Sequence, residues 1–181
     1  MASPFVQFVL KNNINNDNIE KSIMKRDLEQ AIEYYKEKTL PQLPKRIEGI
    51  RSKDTYLDYI LSGRSKKAKA AFIEAEKSII SRLNQCTCVD EVSDICYKTF
   101  GSIPGIGQQT ISDYIQHALS VRGIDPEANC YDILTRSAKS ALKKRGYNIA
   151  AFKESILFKD FDSIAFVDFA NKHYRSFSRI K

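Results

Sequence analysis

Apolar residues recur along this chain every three to four positions, and no stretch alternates convincingly every second one. Leu28, Ala31, Ile32 and Tyr35 fall at i, i+3, i+4 and i+7, which makes one face of an amphipathic helix. Pro41 and Pro44 interrupt the chain beyond it, because proline lacks the N–H that a helix interior needs. The stretch SKDTYLDYILSG predicts a short helix with a polar start at Ser52–Asp54 and a stop at Gly63. In RSKKAKAAFIEAEKSIISRL, Phe72, Ala75, Ile79 and Leu83 share a face, with Glu74 and Glu76 expected on the opposite side. A further helix begins at Asp90, carries Val92, Ile95, Cys96 and Phe100 inward, and ends at Gly101.

The cleanest stripe comes next: Ile111, Tyr114, Ile115, Ala118 and Leu119, stopped by Gly123. Asp125 and Pro126 offer an N-cap and a first helical residue. YDILTRSAKSALKKRG predicts a helix stopped by Gly146, and a last helix from about Ser163 places Phe166, Ala170, His173, Tyr174 and Phe177 on one side. NNINNDN, residues 12–18, predicts a polar loop after a short N-terminal element. The fold expected is all-α: a compact bundle of about eight helices with short connections. Its 181 residues make a single domain over 1–181, or at most two small lobes.

Composition sharpens this. Glycine (7) and proline (5) are scarce, which argues against a turn-rich β fold. The chain carries 29 basic and 22 acidic side chains, a net charge of +7. That excess suits a polyanion, most often nucleic acid, since neutralised phosphates release counterions. The opening MASPFVQFVLKNN lacks a basic n-region and a long apolar run, so a secretory signal is not expected. No run is long enough to cross a membrane. A cytoplasmic, nucleoid or nuclear protein is expected, with Cys86, Cys88, Cys96 and Cys130 as reduced thiols. No metal or other cofactor is expected, because His117 and His173 stand far from the cysteines in sequence.

One stretch does not fit a plain bundle: GSIPGIGQQTISDYIQHAL, from residue 101. Ile103 is followed by Pro-Gly-Ile-Gly, two glutamines, Thr110 and the stripe that starts at Ile111. An apolar residue, PGIG, two variable positions, threonine and an apolar helix, flanked by correctly phased helices over residues 90–121, resembles the helix-hairpin-helix DNA-binding motif. Ile111 stands where alanine is usual, a departure expected to push the two helices slightly apart. The residue types make physical sense. First-turn amides of a helix are unpaired and carry partial positive charge, so they can hold a phosphate oxygen. Glycine lets the phosphate come close and allows a tight turn. Ile106 is expected to tuck inward and hold the hairpin on the core. Gly105, Ile106, Gly107, Gln108, Gln109 and Thr110 are therefore the expected DNA-binding segment. Such a grip holds a duplex backbone without reading sequence.

The position of the motif, in mid-chain among helices, is similar to that in the helix-hairpin-helix base-excision DNA glycosylases. The resemblance extends from about residue 25 onward, with only the hairpin specific. It implies a catalytic aspartate beyond the hairpin. Asp132, followed by Arg136, is the first candidate, although Leu134 stands where the family has histidine. Asp125 is the second, and its alternative role is an N-cap. Gln109 occupies the place of the lysine that gives some members lyase chemistry, and an amide cannot form a Schiff base. A binding protein of uncertain catalysis, a monofunctional glycosylase and an all-α interaction module all remain open.

Three basic clusters accompany the motif. Arg136, Lys139 and Lys143 form a stripe that the resemblance places beside DNA. Arg64, Lys66, Lys67 and Lys69 begin a helix, where cations oppose the dipole. Lys172, Arg175 and Arg179 end one, where cations complement it. His117 is expected in solvent and His173 on the inward side. Tyr34, Tyr35, Tyr56 and Tyr59 fit either stacking on bases or the core.

Overall fold

The computed structural model describes residues 18–125, 133–144, 149, 153–154 and 156–178, with side chains for 28–125, 133–143, 149, 153–154 and 156–176. The expected helix at Asp125–Pro126, most of the early loop with the element before it, Gly146, and the side chains of Phe177 and Arg179 lie outside what it describes. Among the described residues every regular element is helical: α1 (Asn18–Lys38), α2 (Leu43–Arg51), α3 (Tyr56–Ile60), α4 (Lys66–Leu83), α5 (Val89–Phe100), α6 (Gln108–Ser120), α7 (Arg136–Lys144) and α8 (Ser163–Ser178). Short 3-10 turns occupy Leu40–Gln42 and Ile156–Phe158. No helix among these residues is long and apolar enough to cross a membrane.

The chain divides into two compact units. One comprises Met1–Gln42 and Arg136–Lys181, the other Leu43–Thr135. In the first, α8 packs on α1 and α7. Leu28, Ile32 and Tyr35 of α1 are buried as their spacing predicts. The Tyr35 ring meets Phe161 at 5.3 Å and Phe169 edge-on at 5.4 Å, and its hydroxyl donates to the buried Asp168 at 2.7 Å. Lys172 also donates to that carboxylate, at 2.8 Å, so the buried charge is neutralised. His173 lies half-buried and stacks on Phe169 at 5.0 Å.

The second unit is built on α6. Helices α2, α3 and α5 pack against it, and α4 packs on α5. Phe72 of α4 stacks on Phe100 of α5 at 4.2 Å, and Tyr114 of α6 meets both rings edge-on. Pro44 does not break the chain as its sequence position suggested. It lies in the first turn of α2, where its missing N–H has no intrahelical partner to lose. Gly49 on α2 is required by packing: an added Cβ would stand 2.2 Å from the Tyr59 ring.

Two expectations fail for one reason. His117 is buried, not in solvent: its Nδ1 lies 2.8 Å from the Ile50 carbonyl oxygen and its ring stacks on Tyr56 at 3.7 Å. Glu76 is buried on the inward side of α4, accepting from the Tyr56 hydroxyl at 2.8 Å. Every residue from Thr110 to Leu119 is buried, so α6 is a core helix and not an amphipathic one. Polar side chains can sit inward wherever a partner is built for them, and periodicity is blind to partners.

Candidate nucleic-acid interface

The hairpin connects α5 to α6. The Phe100 carbonyl accepts from the Ile103 amide and the Ile103 carbonyl from the Ile106 amide, both at 3.1 Å. The second bond closes the turn Ile103-Pro104-Gly105-Ile106. Pro104 supplies a fixed φ at its first central position, and Gly105 supplies a φ of +85° at its second, the combination of a type II turn. Ile106 is 8% exposed and anchors the turn to the core as expected. Thr110 is buried as well. In both, the side chain faces the protein, so any part in binding falls to the backbone or to positioning.

Gly105, Gly107 and Gln108 are exposed, and Gln109 is half-buried. Gly107 is the N-cap of α6, with φ −91° and ψ 169°. That is extended backbone any residue adopts, and nothing lies within 4 Å of an added Cβ. Having no side chain, it caps nothing. The start of α6 is held from within instead. Gln109 Nε2 donates to Asp113 Oδ1 at 2.9 Å, and Arg46 of α2 donates to Asp113 Oδ2. Asp113 is 4% exposed, and this pairing with a guanidinium and an amide offsets its desolvation. Ser112 donates to the Ile133 carbonyl at 2.7 Å.

The beginning of α4 lies beside the hairpin. A groove of about 310 Å³ runs between them, lined by Ser65, Lys67, Ala68, Ala71, Ile103, Pro104 and Gly105. The small side chain of Ala68 permits the approach, since a Cβ on Gly105 would meet its Cβ at 3.3 Å. Arg64 Nη1 reaches the Gly105 carbonyl at 3.5 Å. The lysine-rich start of α4, legible in the sequence only as a dipole conflict, is thus a neighbour of the hairpin.

Asp125 is exposed, and Asp132 lies outside the described residues. Arg136 and Lys143 are exposed and Lys139 is half-buried on α7, in the unit formed with α1 and α8. Tyr34 is exposed, whereas Tyr35 is core. Tyr56 is drawn into the Glu76–His117 cluster, where burial and then the Glu76 carboxylate push its hydroxyl above the usual tyrosine range. Among the described residues Cys86, Cys88 and Cys96 are free thiols, and burial pushes Cys86 and Cys96 upward. The proximity of α4 to the hairpin was not foreseen from the sequence. Its signal was present in the four cations placed against their own helix dipole.

No protein-family model, curated protein or solved structure matches the chain.

Proposed function

We propose that this protein binds DNA through its sugar-phosphate backbone, with a phosphate held against the hairpin Gly105–Gly107. The observation that carries the reading is Gly107. Neither its backbone conformation nor its packing calls for glycine, and a capping side chain such as aspartate would fit there. Its absence leaves the positive end of α6 without a side-chain cap, behind an exposed glycine and next to a turn that Arg64 and Lys67 flank at Gly105. Partial positive charge, formal positive charge and an unobstructed approach then coincide, which is what a phosphate requires. The net charge of +7 acts in the same direction at long range.

The reading is binding without assigned chemistry. No carboxylate lines the groove beside the hairpin among the described residues, so the groove offers a grip and no carboxylate for chemistry. Binding of this kind is largely independent of sequence and falls steeply with salt. A fluorescence-anisotropy titration of a labelled mixed-sequence duplex, repeated across salt concentrations, tests it. Gly107→Asp places a carboxylate where the phosphate sits and abolishes most of the binding. Equal affinity of that variant and the wild-type protein would remove the hairpin from the interface.

A further inference from the structure

The groove beside the hairpin has two kinds of wall. Its floor is apolar: Ala68 and Ala71 from α4, Ile103 and Pro104 from the turn. Its rim is cationic. Lys67 lines it, Arg64 bridges to the hairpin carbonyl, and Lys66 and Lys69 stand exposed on the same first turn and a half of α4. None of these four cations forms an ion pair with a described residue. By contrast Lys77, further along the same helix, lies 3.6 Å from Glu74, and Lys98 on α5 lies 2.6 Å from Asp94. The first turn of α4 contains no acidic residue. Cations there oppose the helix dipole, and no partner among the described residues offsets that cost.

One first-turn amide of α4 is already engaged, because the Ser65 hydroxyl oxygen accepts from the Ala68 amide at 3.1 Å. What remains is an apolar trough with unpaired positive charge along one edge and the bare hairpin turn at the other. A nucleic-acid backbone has the complementary pattern. Its pentose carbons are apolar, and phosphates flank each sugar on both sides. A protein partner would need an acidic rim around an apolar ridge narrow enough to enter between α4 and the turn. The DNA strand supplies that alternation by its covalent structure.

We infer that the groove between α4 and the hairpin is a second seat for the same DNA strand: it takes the sugar next to the phosphate held at Gly107, and Lys66 and Lys67 take the following phosphate. The inference rests on the DNA-binding reading and adds the strand's path across α4. It makes Ala71 a determinant of affinity although it carries no charge. Ala71 is exposed, so a larger side chain there fills the groove without entering the core.

The test is a salt series of anisotropy titrations on the labelled duplex with the full chain, each variant checked by thermal melting. Ala71→Leu is expected to raise Kd about tenfold with an unchanged salt slope, since it removes fit and not charge. Lys66→Gln with Lys67→Gln is expected to flatten the salt slope by about one, because the phosphate the two lysines share is no longer neutralised. Lys77→Gln, already paired within its helix, leaves both quantities near wild type. If Ala71→Leu binds as wild type and the double lysine variant behaves like Lys77→Gln, while Gly107→Asp still loses binding, the groove is not part of the path and the hairpin reading survives. If Gly107→Asp binds normally and the α4 variants lose affinity, DNA is held on α4 alone, and both the hairpin reading and the shared path fall. A wild-type protein with no affinity for duplex at low salt removes both.

Discussion

Helices α8 and α6 begin in opposite ways, one in each unit. Ahead of α8, Asp162 turns its carboxylate back to accept from the Ala165 amide at 2.7 Å. Ahead of α6, Gly107 offers nothing. Both starts face the same physical demand, since the first amides of any helix lack partners inside it. At α8 the chain meets the demand itself, and the helix goes on to bury Ile164, Ala165, Phe166 and Phe169. At α6 no side chain caps the start, and the helix is secured one turn further in, where Arg46 and Gln109 hold Asp113. An anchor displaced inward leaves the helix tip open without loosening the helix. Comparison of the two starts separates what serves the fold from what is free to serve a ligand.

The largest effect expected is on that inward anchor. Arg46→Met takes the guanidinium away from the buried Asp113 carboxylate and leaves the Gln109 amide to hold it. Losing one partner of a buried pair is costly, and with Arg46 partly exposed the expected loss is about 2 kcal/mol, read as a fall in midpoint on chemical denaturation. A loss no greater than that of removing the Asp162 cap would mean that α6 is not anchored from within, and the contrast between the two starts would vanish. Next comes Gly107→Asp. Its Kd for duplex should rise at least about tenfold, or about 1.4 kcal/mol, while its stability stays level or gains a few tenths of a kcal/mol from the new cap. The mirror variant, Asp162→Ala, should lose about 1 kcal/mol of stability and keep its DNA affinity. If affinity and stability moved together in both variants, the division of labour between the two helix starts would be wrong.

The sequence revealed the helices well wherever burial was one-sided. Leu28, Ile32 and Tyr35 on α1, and Phe72, Ile79 and Leu83 on α4, are apolar at helical spacing and are buried. It was less informative about α6, since Ser112, Asp113, Gln116 and His117 are polar and yet buried. Burying Ser112, Asp113 and His117 depends on partners 21 to 67 positions away, the Ile133 carbonyl, Arg46 and the Ile50 carbonyl, and no local pattern encodes such distances. Helix α2 was hidden behind Pro44, which reads as a breaker unless the helix is known to start there. The hairpin was legible because its chemistry is local: proline, a positive-φ glycine and an inward Ile106 within four residues. The groove was not, because it joins Ala68 and Ala71 to a turn more than thirty positions away.

The smallest effect expected concerns the two histidines, one in each unit. Burial holds His117 below the ordinary histidine range, with Arg122 adding to the effect and the Ile50 carbonyl opposing it. Burial also lowers His173, helped by Lys172 and opposed by Asp168. A base whose folded pKa is depressed is favoured by folding in its neutral form. The unfolded chain takes up its proton first, near pH 6.5, so the contribution to stability is complete above about pH 6.5. It is lost as pH falls from there toward the folded value, because the unfolded state then binds more protons. His117 is 6% exposed and His173 is half-buried, so His117→Gln should flatten the stability–pH curve more than His173→Gln, each by less than about 1 kcal/mol. Denaturation midpoints measured at steps between about pH 7.5 and about pH 5 read the difference before the carboxylates begin to titrate. Stability that rises on acidification in that window, or a curve unaffected by His117→Gln, would mean that His117 is not held neutral between Tyr56 and the Ile50 carbonyl, and that α6 carries less of its second unit's packing than its burial indicates.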